Sequence, residues 1–143
     1  MAGGLVKTSD SWAMLPIRFA LGAIMFAHGA QHVFGAWGGP GLNRWINQPA
    51  PFAEMRPPWL WMGAAAFSEL IGGALVMIGL YTRIGAFFIA CVMLVAIFGV
   101  HWKYGFFMSE GGFEFPLALL GMAMGLLVFG AGSASIDQQI QGK

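Results

Sequence analysis

The chain runs IGAFFIACVMLVAIFGVHW from Ile84 to Trp102, nineteen residues without a charged side chain. A membrane hydrocarbon core of about 30 Å takes about 20 apolar residues in an α-helix to cross. Two other stretches are equally free of charge, 25 residues between Arg18 and Arg44 and 22 residues between Glu114 and Asp137. Each of the three stretches is predicted to hold one membrane-spanning helix.

The composition agrees with a membrane protein. Of the 143 residues, 58% are hydrophobic and 9% are charged, whereas an average soluble domain has about 25% charged residues. A net charge of +1 offers no basic surface, so nucleic acid is not an expected partner. The single cysteine, Cys91, excludes an intramolecular disulfide and a Cys-x-x-Cys thiol-exchange pair.

A fourth apolar run, residues 59–80, is interrupted by a charged residue only at Glu69. The predicted fold is therefore an all-α membrane protein, an antiparallel four-helix transmembrane bundle that forms one domain over residues 1–143. The predicted spans are about 12–34, 59–80, 84–102 and 113–129. The first could instead be the apolar core of a signal peptide with Lys7 in its leader, but the run is too long and lacks a clear small-residue cleavage site.

The predicted connections differ in character. Residues 35–58 are rich in Gly and Pro, which excludes a long helix, and Trp37, Trp45 and Phe52 favour a loop at the headgroup level. The connection at 79–83 is so short that the second and third spans should form a tight antiparallel hairpin.

Small residues indicate where helices approach one another. Gly121 and Gly125 form a Gly-x-x-x-Gly pair, and Ala64, Ser68 and Gly72 recur at four-residue spacing. Such stripes allow close backbone contact in a membrane. Packing within the chain is the favoured interpretation, with packing against another subunit as the alternative.

Basic residues suggest an orientation and structural roles. On the side of the termini lie Lys7, Arg83 and Lys143, with Arg18 close to that side, and on the loop side lie Arg44, Arg56 and Lys103. This excess of four basic residues over three weakly favours cytoplasmic termini. Arg18, near the end of the first span, is interpreted as an anchor that extends its charged group to the membrane surface. The residues predicted to be structural are Arg18, Gly72, Gly73, Arg83, Gly121 and Gly125.

Polar residues within the spans are the candidate functional residues. Glu69 lies about ten residues into its helix, roughly 15 Å deep, where a carboxylate must be paired, face the interior or be protonated. His28 and His32 are one turn apart on the first span, while His101 ends the third and Glu114 begins the fourth. These five residues are predicted to form a polar ligand-binding cluster in the half of the bundle near the 35–58 loop.

Each of these candidate residues also has a purely structural interpretation. Glu69 can be a protonated structural residue, and His32, His101 and Glu114 lie at depths where polar residues are common. No metal site is predicted, because His28 and His32 lack a supporting carboxylate motif and are only weak candidates for metal ligands. A haem between His32 and His101 is geometrically conceivable but equally weakly supported.

The sequence resembles the DoxX family of membrane proteins over nearly its whole length. The resemblance is carried by Arg18, residues 28–35, 37–41, 69–73 and 79–83, His101, residues 105–107, Glu114, residues 130–133 and residues 135–137. His32 stands where similar proteins commonly have Lys, which favours a pH-sensitive or ligand role over a permanent cation. The resemblance implies a four-helix protein of a bacterial or archaeal cytoplasmic membrane, in a family named after a subunit associated with thiosulfate:quinone oxidoreduction.

Three functions follow as hypotheses. The first is a membrane subunit serving redox chemistry, with a quinone as candidate ligand and Glu69 and the histidines as its polar partners. The second is a non-catalytic subunit that docks a larger membrane complex or forms a homo-oligomer. The third is a proton-coupled exporter that depends on Glu69. No catalytic residue is assigned.

Overall fold

This computed structural model describes residues 2–142, and that part of the chain is helical, without a β-strand. The helices are α1 (Ala2–Leu5), α2 (Met14–Phe34), α3 (Gly41–Ile46), α4 (Pro58–Ile78), α5 (Thr82–Val95), α6 (Glu114–Phe129) and α7 (Ile136–Gln141). A π-helical segment, Ala96–His101, continues α5, and 3-10 turns occupy Ala36–Gly38, Trp102–Tyr104 and Met108–Glu110.

Among residues 2–142, two helical segments are long and apolar enough to cross a membrane. They are Pro58–Ile78, which is α4, and Thr82–Tyr104, which is α5 with its continuation. The apolar α6 has 16 residues, roughly 24 Å of helix. The prediction of an all-helical chain is confirmed, and two of the four predicted spans meet the length and apolarity of a membrane helix.

Helix ends follow from local backbone chemistry. Gly79 ends α4 in the left-handed conformation, φ 73°, and its N–H donates to the Leu75 and Val76 carbonyls. Glycine adopts this conformation without a steric cost, which makes it the usual residue after a helix. Because α5 already begins at Thr82, the predicted tight hairpin between these helices is confirmed.

The four long helices share one core. α2 packs on α4, α4 on α5, α5 on α6, and α6 returns to α2. The buried side chains at their common interface are Leu21, Met25, Val76, Ala86, Ile89, Ala90, Met93, Leu119, Ala123 and Leu126.

Glycines bring α4 against both of its neighbours. A Cβ added to Gly73 would lie 2.9 Å from the Gly22 carbonyl oxygen on α2. One added to Gly72 would lie 3.2 Å from the Gly85 carbonyl oxygen on α5. Both distances are to backbone atoms, which cannot rotate away, so these glycines set the separation of the helices.

Gly121 and Gly125 do not contribute to such packing. A Cβ added to either residue would meet no atom within 4 Å among the described residues. The favoured interpretation of this pair, packing within the chain, is therefore wrong. A straight apolar helix has no polar face, so its sequence does not show which side meets its neighbours.

Arg18 is not a surface anchor. The side chain is 3% exposed, and its guanidinium donates to the carbonyl oxygens of Ala131, at 3.2 Å, and Ala134, at 2.9 Å. The segment after α6 thus folds over Arg18 and supplies backbone acceptors. The prediction of an arginine reaching the membrane surface is wrong, because it took no account of the C-terminal segment.

Asp137 completes this end of the molecule. Its carboxylate, in a residue 1% exposed, accepts hydrogen bonds from the backbone N–H groups of Tyr81, at 2.7 Å, and Thr82, at 2.9 Å. Those N–H groups open α5 and have no partner within the helix. α7 therefore caps α5 from the far end of the sequence. Arg83 adds a hydrogen bond of 3.0 Å to the Val128 carbonyl on α6.

Candidate functional site

An imidazole and a carboxylate from two different helices meet inside the helical core region. His32 Nδ1 of α2 and Glu69 Oε2 of α4 are 2.5 Å apart. The side chains are 14% and 9% exposed, respectively. A carboxyl group with so little access to solvent needs a hydrogen-bond partner, and the His32 imidazole is that partner. The structure thus brings together two of the five residues of the predicted cluster.

Trp45 of α3 holds this pair in place. Its ring stacks on the His32 imidazole with centroids 3.5 Å apart and planes inclined by 12°. The indole N–H donates to the Met62 carbonyl of α4, at 2.8 Å. The short helix in the 35–58 loop therefore covers the His32–Glu69 pair, and the contact leaves the imidazole little freedom to rotate.

A cavity of about 700 Å³ lies beside Glu69, between α4, α5 and the loop. The residues that line it are Trp45, Pro49, Ala50, Pro51, Met55, Trp61, Met62, Ala64, Ala65, Ser68, Glu69, Phe87, Phe88, Cys91, Val92, Val95, Ala96, Gly99, Val100, Lys103 and Tyr104. Ligand sites of about this volume, with apolar walls and few polar groups, are typical of proteins that bind small organic molecules.

The loop closes one end of the cavity. A Cβ added to Gly99 would lie 2.6 Å from Pro51 Cβ and 2.9 Å from the Phe52 ring. The absence of a side chain at residue 99 therefore lets this part of the loop rest directly on the π-helical continuation of α5. The predicted aromatic loop at the end of the bundle is thereby part of the site wall.

His28 lies near the pair without joining it. Its ring centroid is 6.3 Å from that of His32, and the residue is exposed. Within residues 2–142, no group of three or more His, Cys, Asp or Glu side chains is arranged to hold a metal ion.

His101 and Glu114 are engaged elsewhere. His101 Nδ1 lies 2.7 Å from the Gly111 carbonyl oxygen, and Glu114 accepts from the Met108 N–H at 2.9 Å. Both residues organise the loop between α5 and α6, and neither lines the cavity. The prediction that these two residues join the cluster relied on their depth being similar to that of His32. Similar depth does not bring side chains together when the side chains point in different directions.

Several residues that line the cavity were not predicted from the sequence. Cys91, Val95, Gly99 and Lys103 recur every four residues on α5 and its continuation, and all line the cavity. Four-residue spacing places side chains on one helix face, so this stripe was a readable signal. Trp45 gave no such signal, because its stacking partner lies on a different helix.

Comparison with known proteins identifies the family. The family model DoxX matches residues 13–102, which include α2 to α5 and therefore both His32 and Glu69. A protein of Haemophilus influenzae described as uncharacterized is 28% identical over 130 residues, 90% of this chain and 83% of that protein. No solved structure matches significantly. The chain belongs to the DoxX family of membrane proteins.

Proposed function

We propose that this protein is a membrane-embedded subunit for redox chemistry whose cavity binds a quinone or a related lipid-soluble ring compound. The observation that carries the proposal is the Glu69 carboxyl group, held by His32 at the wall of an apolar cavity. Burying a carboxyl group is costly in a purely structural role. Binding a polar group of a ligand would explain why a carboxyl group is buried at this position.

The proposal includes a four-helix antiparallel bundle that spans the membrane. In support, α2 has the same 21-residue length as α4 and contacts it backbone to backbone through Gly22. α6 packs on α5 and α2. Two helices that lie along membrane helices are expected to cross the same bilayer. We propose a bacterial or archaeal cytoplasmic membrane, as the family resemblance implies, and cytoplasmic termini, on the small excess of basic residues at that end of the helices.

The cavity walls suit a ligand that arrives from the bilayer. Trp61, Phe87 and Phe88 line the cavity and are 46%, 54% and 48% exposed. Side chains of this type on the outer face of membrane helices contact acyl chains. A quinone needs an apolar slot for its ring and tail and one or two polar partners for its oxygens. Ser68 and Glu69 stand on the wall as such partners.

The chain would exchange electrons through another protein. The sequence has no dinucleotide-binding fingerprint and a single cysteine, so it offers no flavin, nicotinamide or iron–sulfur site of the usual kinds. A membrane subunit that presents a lipid-soluble substrate to a redox partner fits these properties.

Quinone binding tests the proposal directly. The protein in lipid nanodiscs is titrated with a short-chain quinone and its quinol, and quenching of tryptophan fluorescence is recorded, since Trp45 and Trp61 line the cavity. Glu69→Ala should weaken binding by about tenfold or more. Glu110→Ala, at an exposed residue outside the cavity, is the matched control. Equal binding by the two variants would refute the assignment.

A second function, a docking subunit of a larger membrane complex or a homo-oligomer, is favoured by a separate observation. Gly121 and Gly125 present open space on α6, and such pairs support close helix association. This function predicts that Gly121→Leu releases a partner, or splits an oligomer, in mild detergent. Native mass spectrometry that finds the wild-type protein solitary would exclude it.

A further inference from the structure

The wall of the cavity carries ionisable side chains of opposite sign at two places. Glu69 is paired with His32, whereas Lys103, at the loop end, forms no salt bridge within residues 2–142. Lys103 is exposed, and its Nζ lies 4.9 Å from the ring centroid of Tyr104, which also lines the cavity. The positive charge at this end of the cavity is therefore without an anionic partner in the described chain, and an anion is the ligand group that complements it.

The cavity is elongated along α5 and its continuation. Its wall includes residues from Phe87 to Lys103, a length of helix of roughly 24 Å. Between these ends, Cys91, Val95 and Gly99 line the cavity from one face of the helix. A cavity with this length and an apolar wall suits an extended acyl chain.

The position of Lys103 matches the polarity of one bilayer leaflet. The apolar helical segment Thr82–Tyr104 ends at the next residue, so Lys103 lies where a membrane helix reaches the lipid headgroups. The wall farther along the helix includes Phe87 and Phe88, both of which are exposed. A ligand with an anionic head and an apolar tail would therefore have the same orientation in the cavity as in the bilayer.

We infer that the cavity binds a long-chain fatty acid as its anion, with the carboxylate at Lys103 and the acyl chain along Gly99, Val95 and Cys91. The inference goes beyond the proposed function, because it requires the cavity and Lys103 but neither a redox reaction nor a contact with Glu69. A cavity of about 700 Å³ is of the size that holds one small ligand, which favours a single acyl chain over a two-chain phospholipid.

The headgroup is expected to decide the affinity. Lipid tails are as apolar as the cavity wall, so moving an acyl chain from the bilayer to the cavity gains little free energy. A hydrogen bond between an ammonium group and a carboxylate is instead among the stronger kinds. A neutral lipid of the same chain length lacks that contact and should bind weakly.

A fatty acid and its methyl ester test the inference, because they share the chain and differ in the charge of the head. Radiolabelled palmitate and methyl palmitate are titrated at mildly alkaline pH into the protein in phosphatidylcholine nanodiscs, and a scintillation proximity assay counts the bound ligand. Empty nanodiscs correct for partitioning into lipid. Palmitate should bind about tenfold more tightly than the ester. Equal binding of the two by the wild-type protein would overturn the inference.

Substitutions at two lysines locate the headgroup. Lys103→Gln should bring the affinity for palmitate down to that for the ester, while Lys103→Arg should keep the preference for the acid. Lys7→Gln is the matched control, since Lys7 is exposed and does not line the cavity. Loss of the preference in both glutamine variants, or in neither, would show that the carboxylate does not bind at Lys103 and would overturn the inference.

Two further ligands separate this inference from the alternatives. Anionic phosphatidylglycerol in the nanodisc should leave palmitate binding unchanged; displacement of palmitate would show that a two-chain phospholipid is the ligand and that the inference is wrong. If palmitate binds through Lys103 and the quinone does not bind, the inference stands and the proposed function falls. If the quinone binds and palmitate binds no better than its ester, the proposed function stands and the inference falls.

Discussion

The contact between α2 and α4 depends on Gly73, and Gly73→Ala is expected to disrupt it. The added Cβ would lie 2.9 Å from both the Gly22 carbonyl oxygen and the Met25 carbonyl carbon, and still closer to the Phe26 backbone nitrogen. All three are backbone atoms of one helix, so relief requires that the helices separate. The same movement would pull His32 on α2 away from Glu69 on α4.

The expected cost is that of overpacking a core, about 1–3 kcal/mol. Gly121→Ala is the matched control, because a Cβ there meets nothing within 4 Å. An alanine in the middle of a helix is favoured over glycine by roughly 0.5–1 kcal/mol, so this variant should be neutral or more stable. The two alanine substitutions are therefore predicted to change stability in opposite directions.

Unfolding of the purified protein in mixed micelles, followed by circular dichroism as SDS is increased, measures this difference. Gly73→Ala should unfold at a lower SDS fraction than the wild type, and Gly121→Ala at an equal or higher one. The protein is kept dilute so that association between copies through α6 does not affect the measured unfolding midpoint. Coincident unfolding curves for the two variants would show that Gly73 does not set the helix separation.

Three further predictions concern the site and its supports. His32→Ala should weaken quinone binding by about tenfold, since it removes the partner of Glu69, while His28→Ala should leave binding unchanged; an equal loss in both would contradict the geometry. Asp137→Ala leaves two N–H groups of α5 without their acceptor and should lower the unfolding free energy by about 1–3 kcal/mol, measured by the same SDS titration; an unchanged midpoint would show that α7 does not cap α5. Gly99→Leu should displace the Pro51–Phe52 part of the loop and speed the cleavage at Glu54 by a glutamate-specific protease, and wild-type cleavage rates would refute this contact.

The predicted polar cluster shows how much of the site could be derived from the sequence. Glu69 was identifiable because a lone charge in an apolar run requires an explanation wherever it points. The sequence placed Glu69 in the same half of the bundle as the histidines and Glu114 without deciding which of them it meets, and His101 and Glu114 bind loop backbone instead. Depth is a one-dimensional measure, and the rotation of each helix about its axis decides which side chains meet.

The sequence by itself determined the four long helices, the tight turn after Gly79 and the membrane character, because these depend on chain length, apolarity and local backbone chemistry. Only the tertiary structure decided which faces of the helices are turned inward. Lipid and protein interior are both apolar, so a helix in this setting has no hydrophobic periodicity from which its orientation can be read. The burial of Arg18, the outward Gly121 and the stacking of Trp45 on His32 all depend on that orientation and on segments distant in the chain.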